Sequence, residues 1–383
     1  MGSADMSTTE QLRARSVRRK LIIQGLLIAV TIAAVWAAIR SAQVNLAALG
    51  ITSGFGFLTR ATGWDYSFSL IARSINDPYS RTLFIGFLNT LFVGFISIVL
   101  STFLGFIIGT ARDSSHPAIK SAATVYVQIF RNIPLILQAV FLYSVLIHFP
   151  GPRQAMNVAD AFFLSNRGLM MPGLNLSGAT AVALLLGTVA IAAGLVVRKT
   201  PLLRGIGLWL VLSTGLIAVT TGLMRPDDAP VLSIPELKGL RFVGGIIVPI
   251  ELVAMITSIT LYGSAYIAEV VRGGLNQVPR GLIEAGRALG LSPASIWGRI
   301  KVPMALRSIV PPLGNQWIFI MKATTIGIAI GFSDLFYIAS NSITQSGQTL
   351  ELIFLLMAAF LLVNFSIALS VNWLNARLQL KAH

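Results

Sequence analysis

The residues best placed to do chemistry lie in one polar stretch of an otherwise apolar chain. Between residues 277 and 303 stand Glu284-Ala285-Gly286, then Gly290, then Ile300-Lys301-Val302-Pro303, with Arg280, Arg287 and Arg299 among them. Leu282, Ile283, Ala285, Ala288 and Leu289 recur at helical spacing, so 281–289 reads as a short helix. Gly290 stands where a left-handed residue would end it. Ser292-Pro293 offers an N-cap and a first-turn proline for a second short helix, running through Ile296, Trp297 and Ile300. Pro303 then opens the next apolar run. Two short helices at an angle make a compact knob joined at both ends to apolar segments. Such a knob could give a soluble partner a grip, or it could lie passively on lipid headgroups.

Other chemistries are poorly supplied. There is no cysteine, and His116, His148 and His383 lie far apart with no ligand spacing. No G-x-x-x-x-G-K-[ST] segment exists to cradle a nucleotide phosphate, and no nucleophile or acid–base set clusters in the sequence. The expectation is a chain that is not an enzyme and holds no metal or cofactor of its own.

The elements that position the polar stretch follow from composition. Of 383 residues, 55% are hydrophobic and only 11% charged, and the mean hydropathy is +0.78. A soluble domain carries about 25% charged residues, so a water-soluble fold and a disordered chain are both excluded. Eight runs are apolar and long enough to cross a bilayer: 21–39, 83–111, 121–148, 179–197, 205–223, 247–270, 306–330 and 351–374. The fold class expected is an all-α integral membrane protein with about eight transmembrane helices. The first run follows Arg13, Arg15, Arg18, Arg19 and Lys20, which puts residues 1–20 in the cytoplasm and makes 21–39 a retained anchor, with a cleaved signal peptide as the alternative. Threading alternately from there places 18 basic residues inside and 9 outside, and 4 acidic residues inside against 7 outside. Both ends, 1–20 and 375–383, are then cytoplasmic, as is the 277–303 loop. The formal net charge of +15 is accounted for by this topology rather than by nucleic-acid binding.

Glu284-Ala285-Gly286, Gly290, Ile300 and Val302-Pro303 resemble the EAA signature of ABC importer permeases, which reads E-A-A, three residues, G, nine residues, I-x-L-P. Gly286 replaces the second alanine and Val302 the leucine. The run 265–274 is similar to the segment preceding that loop in polar amino-acid permeases. Tyr126 and the stretch from Phe130-Arg131-Asn132-Ile133-Pro134 to Gln138 resemble their Y…R-G-T-P-L-L-V-Q element. Pro311-Pro312, Asn315 and Lys322-Ala323-Thr324-Thr325-Ile326 resemble their P-x-x-x-N…K-D-T-S-L element, with Ala323 where aspartate is usual. The resemblance is to the histidine/glutamine/arginine permease family of type I ABC importers. It covers 83–148 and 247–374, the two parts of the expected permease core. The anchor, the outer loop 40–82 and the insertion 149–246 with its helices 179–197 and 205–223 are additions, most like the general L-amino acid subtype.

The resemblance implies a permease that moves L-amino acids by alternating access and leaves ATP hydrolysis to another chain. ATP and Mg would sit on a cytoplasmic ABC ATPase dimer gripping the 277–303 loop. A second permease subunit, a different chain, would complete the pathway, and a periplasmic binding protein would feed it in a bacterial inner membrane. Glu284, Ala285, Gly286, Gly290, Ile300 and Pro303 are the expected ATPase-coupling residues, with Ala285 and Gly286 small enough to allow close approach. Arg287, Arg299 and Lys301 could pair with acidic groups on the ATPase or simply satisfy the inside charge bias.

Ionisable groups inside the membrane default to function; here they are Arg131, Glu251, Glu269 and Lys322. Arg131 and Glu269 are expected to form a buried pair between helices. Gln138, Asn315, Gln316 and Lys322 could meet the carboxylate and ammonium of a zwitterionic substrate, though hydrogen bonds between helices would use them equally well. Gly105-x-x-x-Gly109 and Gly327-x-x-x-Gly331 offer close packing, within the subunit or between permeases.

Overall fold

The architecture was taken from a computed structural model that describes residues 4–48, 54–198, 200, 202–224 and 230–378. The chain opens with one long helix, α1 (Ala4–Ala48). The first core part follows as α2 (Tyr79–Arg112), α3 (Pro117–Asn132) and α4 (Leu135–Ile147). Short strands come next: β1 (Met156–Val158), β2 (Phe162–Ser165), β3 (Gly168–Met171) and β4 (Gly173–Leu174). Two helices, α5 (Gly178–Val197) and α6 (Leu202–Met224), lead to β5 (Leu232–Ser233), β6 (Glu236–Lys238), β7 (Arg241–Val243) and β8 (Ile246–Val248). The second core part is α7 (Ile250–Asn276), α8 (Arg280–Ala288), α9 (Pro293–Ile296), α10 (Val302–Ala323), α11 (Leu335–Ser346) and α12 (Thr349–Leu378). The last residues of the 375–383 tail lie outside the described residues.

Among the described residues, five helices are long and apolar enough to span a membrane, and two bent pairs could each add one. α5 coincides with the run 179–197. Two expectations need correction. The run 121–148 is not one straight span, because α3 and α4 meet at 100°. Pro134 has no N–H for the carbonyl of Phe130, and a residue before proline is pushed to extended backbone, as Ile133 is at φ −91° and ψ 126°. Gln138 Nε2 takes the orphaned role, donating to Phe130 O at 2.9 Å and to Ile133 O at 2.8 Å. Likewise, 331–350 is not simply a loop. After α10 the chain tightens into a 3-10 segment (Thr324–Ile330), turns at left-handed Gly331 and continues as α11, capped by the Asp334 side chain accepting from Tyr337 N. Around the two helices of the insertion, β1, β2, β3 and β8 form an antiparallel sheet, and β4–β5 and β6–β7 pair separately.

The core is built on α2 and α7, which run in the same direction with their small residues interleaved. A Cβ at Gly105 would lie 2.6 Å from Ile267 Cγ2, one at Gly109 2.7 Å from Val271 Cβ, and one at Gly263 2.7 Å from Ser101 Oγ. Gly105 and Gly109 thus serve packing inside the subunit. Gly331 does not extend a packing stripe, since it supplies the left-handed turn after the 3-10 segment. At the far end of α2 from the 277–303 loop, the segment 60–78 straps over the bend before α11. Asn89 Nδ2 donates to Phe68 O and to Ser333 O, Leu70 N donates to Asn89 Oδ1, and Phe68 stacks between Phe92 and Phe332.

Candidate functional site

The 277–303 loop folds much as its pattern suggests. Pro279 precedes α8, and Gly290 closes it in the left-handed region at φ 73°. Leu291 N returns to Gly286 O at 3.1 Å, the backbone closure of a Schellman-type end. Ser292 Oγ accepts from Ser295 N and starts α9. From there the structure departs from two separate short helices. α9 passes through a π turn (Trp297–Lys301) directly into α10, with Val302 N reaching Trp297 O. Pro303 therefore does not open the span. It sits inside a helix already begun at Pro293, and the wider turn lies just ahead of the residue that cannot donate.

Glu284, Ala285 and Gly290 are exposed, as is Leu289 at 80%. Gly286 is buried, and its role is internal: an added Cβ would lie 3.0 Å from Ile300 Cδ1 and 3.2 Å from Ile296 Cγ1. Its small size lets α8 approach the helix that follows it. Ile300 is the half-buried residue beneath it, and Pro303 is exposed. Lys301 also turns inward, pairing with Asp113 just past the end of α2. A groove of about 470 Å³ runs beside that pair, lined in part by Ile283, Arg287 and Trp297.

The expected pair of Arg131 and Glu269 forms at 3.3 Å, but it is neither buried nor exclusive. Glu269 also holds Arg272 at 3.3 Å and pairs with Arg112. Arg131 and Glu269 are each 38% exposed, whereas Arg112 is 9% exposed. Arg112 was missed because it ends a span and counts as a loop charge. The readable signal was its register, since residues 105, 109 and 112 share one helical face, the face packed on α7. The Arg131 guanidinium also stands 5.0 Å over the Tyr266 ring. Tyr266, Tyr262 and Phe319 form a ladder with centroids 4.8–6.2 Å apart. Asn315 and Lys322 are exposed on α10, at heptad spacing about Phe319, so they share its open face; Gln316 is half-buried. Gln138 is buried, and its amide closes the break between α3 and α4. Glu251 lies in the first turn of α7.

The family described as binding-protein-dependent transport system inner membrane component matches residues 101–380, most of the chain. The chain belongs to that family. This transport component is similar along its length to the general L-amino acid transport system permease AapQ of Rhizobium johnstonii, at 35% identity over 94% of the chain and 92% of the relative. It is 36% identical to the putative amino-acid ABC transporter permease YhdX of Escherichia coli over 87% of each. The glutamate/glutamine/aspartate/asparagine permease BztB of Rhodobacter capsulatus is 32% identical over 96% of this chain and 95% of its own. A crystal structure of an amino acid ABC transporter with histidines aligns with TM-score 0.48 at 19% identity, covering 78% of this chain and 95% of that one.

Proposed function

We propose that this family member is the permease subunit of an ABC importer that carries L-amino acids inward across a bacterial inner membrane. A separate ATPase dimer, which would hold the ATP and Mg, docks on the 277–303 loop. A periplasmic binding protein delivers substrate at the opposite end, and a second, different permease chain completes the pathway. Both termini lie in the cytoplasm on this reading, which follows the bias of basic residues. The chain contributes no hydrolytic chemistry of its own. The observation that carries the proposal is the knob: α8 presents Glu284, Ala285 and Leu289 outward, ends at left-handed Gly290, and leads into a helix continuous from Pro293 to Ala323. A partner that moves the knob therefore moves a span. Similarity to amino-acid permeases over nearly the whole chain supports the substrate class. Asn315 and Lys322, beside the Tyr262–Phe319 ladder and Arg131, are the groups offered to a carboxylate or ammonium on the open face.

Co-purification with the ATPase in detergent tests the docking. Gly290→Arg forces a side chain into a left-handed turn, and Glu284→Lys reverses the exposed charge. Loss of ATPase from both variants, at normal permease abundance, is expected. Retention in both would overturn the assignment of docking to this loop.

A further inference from the structure

We infer that Asp113 and Lys301 are the tie through which the knob drives α2. The inference rests on the proposed coupling through the 277–303 loop and names the residues that pass the motion on. Three observations converge. Asp113 caps α2, a helix of 34 residues or about 50 Å, and Lys301 ends the π turn that carries α9 into α10. Both side chains are largely shielded, at 17% and 19% exposed, so the pair is held away from the solvent screening that weakens surface ion pairs. Among the described residues, it is the one ion pair joining residues 280–303 to the rest of the chain. The groove beside it separates Thr110 and Asp113 of α2 from Ile283 and Arg287 of α8, so at this end of α2 the pair reaches across where the two helices do not pack.

The adjacent residue completes the device. Arg112 points from the same turn to Glu269 on α7, so two consecutive residues of opposite charge bolt α2 to the knob on one side and to α7 on the other. At the far end, Asn89 and Thr90 of α2 hold the bend before α11: Asn89 Nδ2 donates to Ser333 O, and Thr90 Oγ1 accepts from Leu335 N. A push on Lys301 is thus delivered along a rigid helix to the strap at the opposite end. A wide turn at residues 297–301 suits a hinge that must keep its helical connection while the tie is loaded.

The test is the ratio of amino acid taken up to ATP hydrolysed, in liposomes holding the full complex with its binding protein. Asp113→Asn and Lys301→Gln are expected to lower that ratio by about 5- to 150-fold, the range of ordinary coupling energies. Lys301→Arg, and the exchanged pair Asp113→Lys with Lys301→Asp, are expected to restore it. A ratio within twofold of the starting protein in both single variants would overturn the inference. So would an exchanged pair that stays as uncoupled as the single variants, since the residues then matter for packing and not for their mutual attraction. If the unaltered complex shows no ATP-driven uptake, the importer reading itself fails and the tie falls with it.

Discussion

Replacing Glu269 by glutamine tests the charge arithmetic at the junction of α2, α3 and α7. One carboxylate there meets three guanidiniums, and the three are not equivalent. Arg112 is 9% exposed, so removing its partner strands a buried charge, a loss of about 3–5 kcal/mol in a fully dry site. Arg131 and Arg272 are 38% and 39% exposed, and each loses only about 0–1 kcal/mol to water. Glu269 is itself 38% exposed and stands one turn before Arg272, where the proposed topology brings the span to the cytoplasmic surface, so the site is not fully dry and the total falls to about 2–3 kcal/mol. With an unfolding entropy of about 2 cal/mol/K per residue, that lowers the melting midpoint by about 2.5–4 °C for 383 residues. Arg112→Gln removes the buried charge along with the pair and leaves Glu269 two partners, so it costs about 1 kcal/mol. The double variant is expected to melt above Glu269→Gln alone, because no buried cation remains unpaired. Melting of purified protein in detergent measures all three. Equal shifts for the two single variants, or a double variant less stable than Glu269→Gln, would refute the reasoning.

Three further outcomes follow from the packing and the strap. Gly109→Leu places carbon where Val271 Cβ and Ala268 O already lie 2.7 and 2.8 Å away, so α2 and α7 must separate; a loss of about 1–3 kcal/mol or more is expected, read as reduced monodisperse yield. Gln138→Leu strips Phe130 O and Ile133 O of their shared donor at the α3–α4 bend, and a loss of about 1–3 kcal/mol should appear in the same melting assay. Tyr66, in the strap outside the spans, is buried with a hydroxyl lacking a partner among the described residues, and burial, helped by the charge of Asp77, pushes its pKa up to about 12. Its phenol stays neutral in the fold but ionises near 10.0 once unfolded, so stability present below that pH declines as pH rises toward 12. Tyr66→Phe should remove that share of the decline, and identical alkaline melting curves for the two proteins would contradict it.

Hydropathy made the spans legible because twenty apolar residues in a row have few other uses. It could not show where a span bends. The average over 121–148 stays apolar through Pro134, and the group that makes the break tolerable, the Gln138 amide, sits four residues further on. α11 was missed for a related reason: it is too short and mixed to register as a span, although Asp334 and left-handed Gly347 mark its two ends. The strands of the insertion are two to four residues long and find partners up to about 80 residues away, as β3 does in β8, so no local period announces them. In the knob, the turn at Gly290 and the cap at Ser292 could be read because they are local rules. The inward roles of Gly286 and Lys301 could not, because each depends on an element brought close only by the fold.

The seam between α2 and α7 also sets a timetable for synthesis. α2 ends at Arg112 and α7 begins at Ile250, and the intervening segment holds the whole β-rich insertion and α5–α6. At about 5–20 residues per second, the roughly 140 residues between them take about 7–28 s to emerge. Throughout that interval the glycine face of α2 sits in the bilayer without the helix it is shaped to receive. Because small-residue faces pair readily with one another, two nascent chains on neighbouring ribosomes could join through their α2 helices before either has made α7. The insertion therefore lengthens the period in which the core is most exposed to mispairing, and slower translation across 149–246 would be expected to lower the yield of correctly assembled protein.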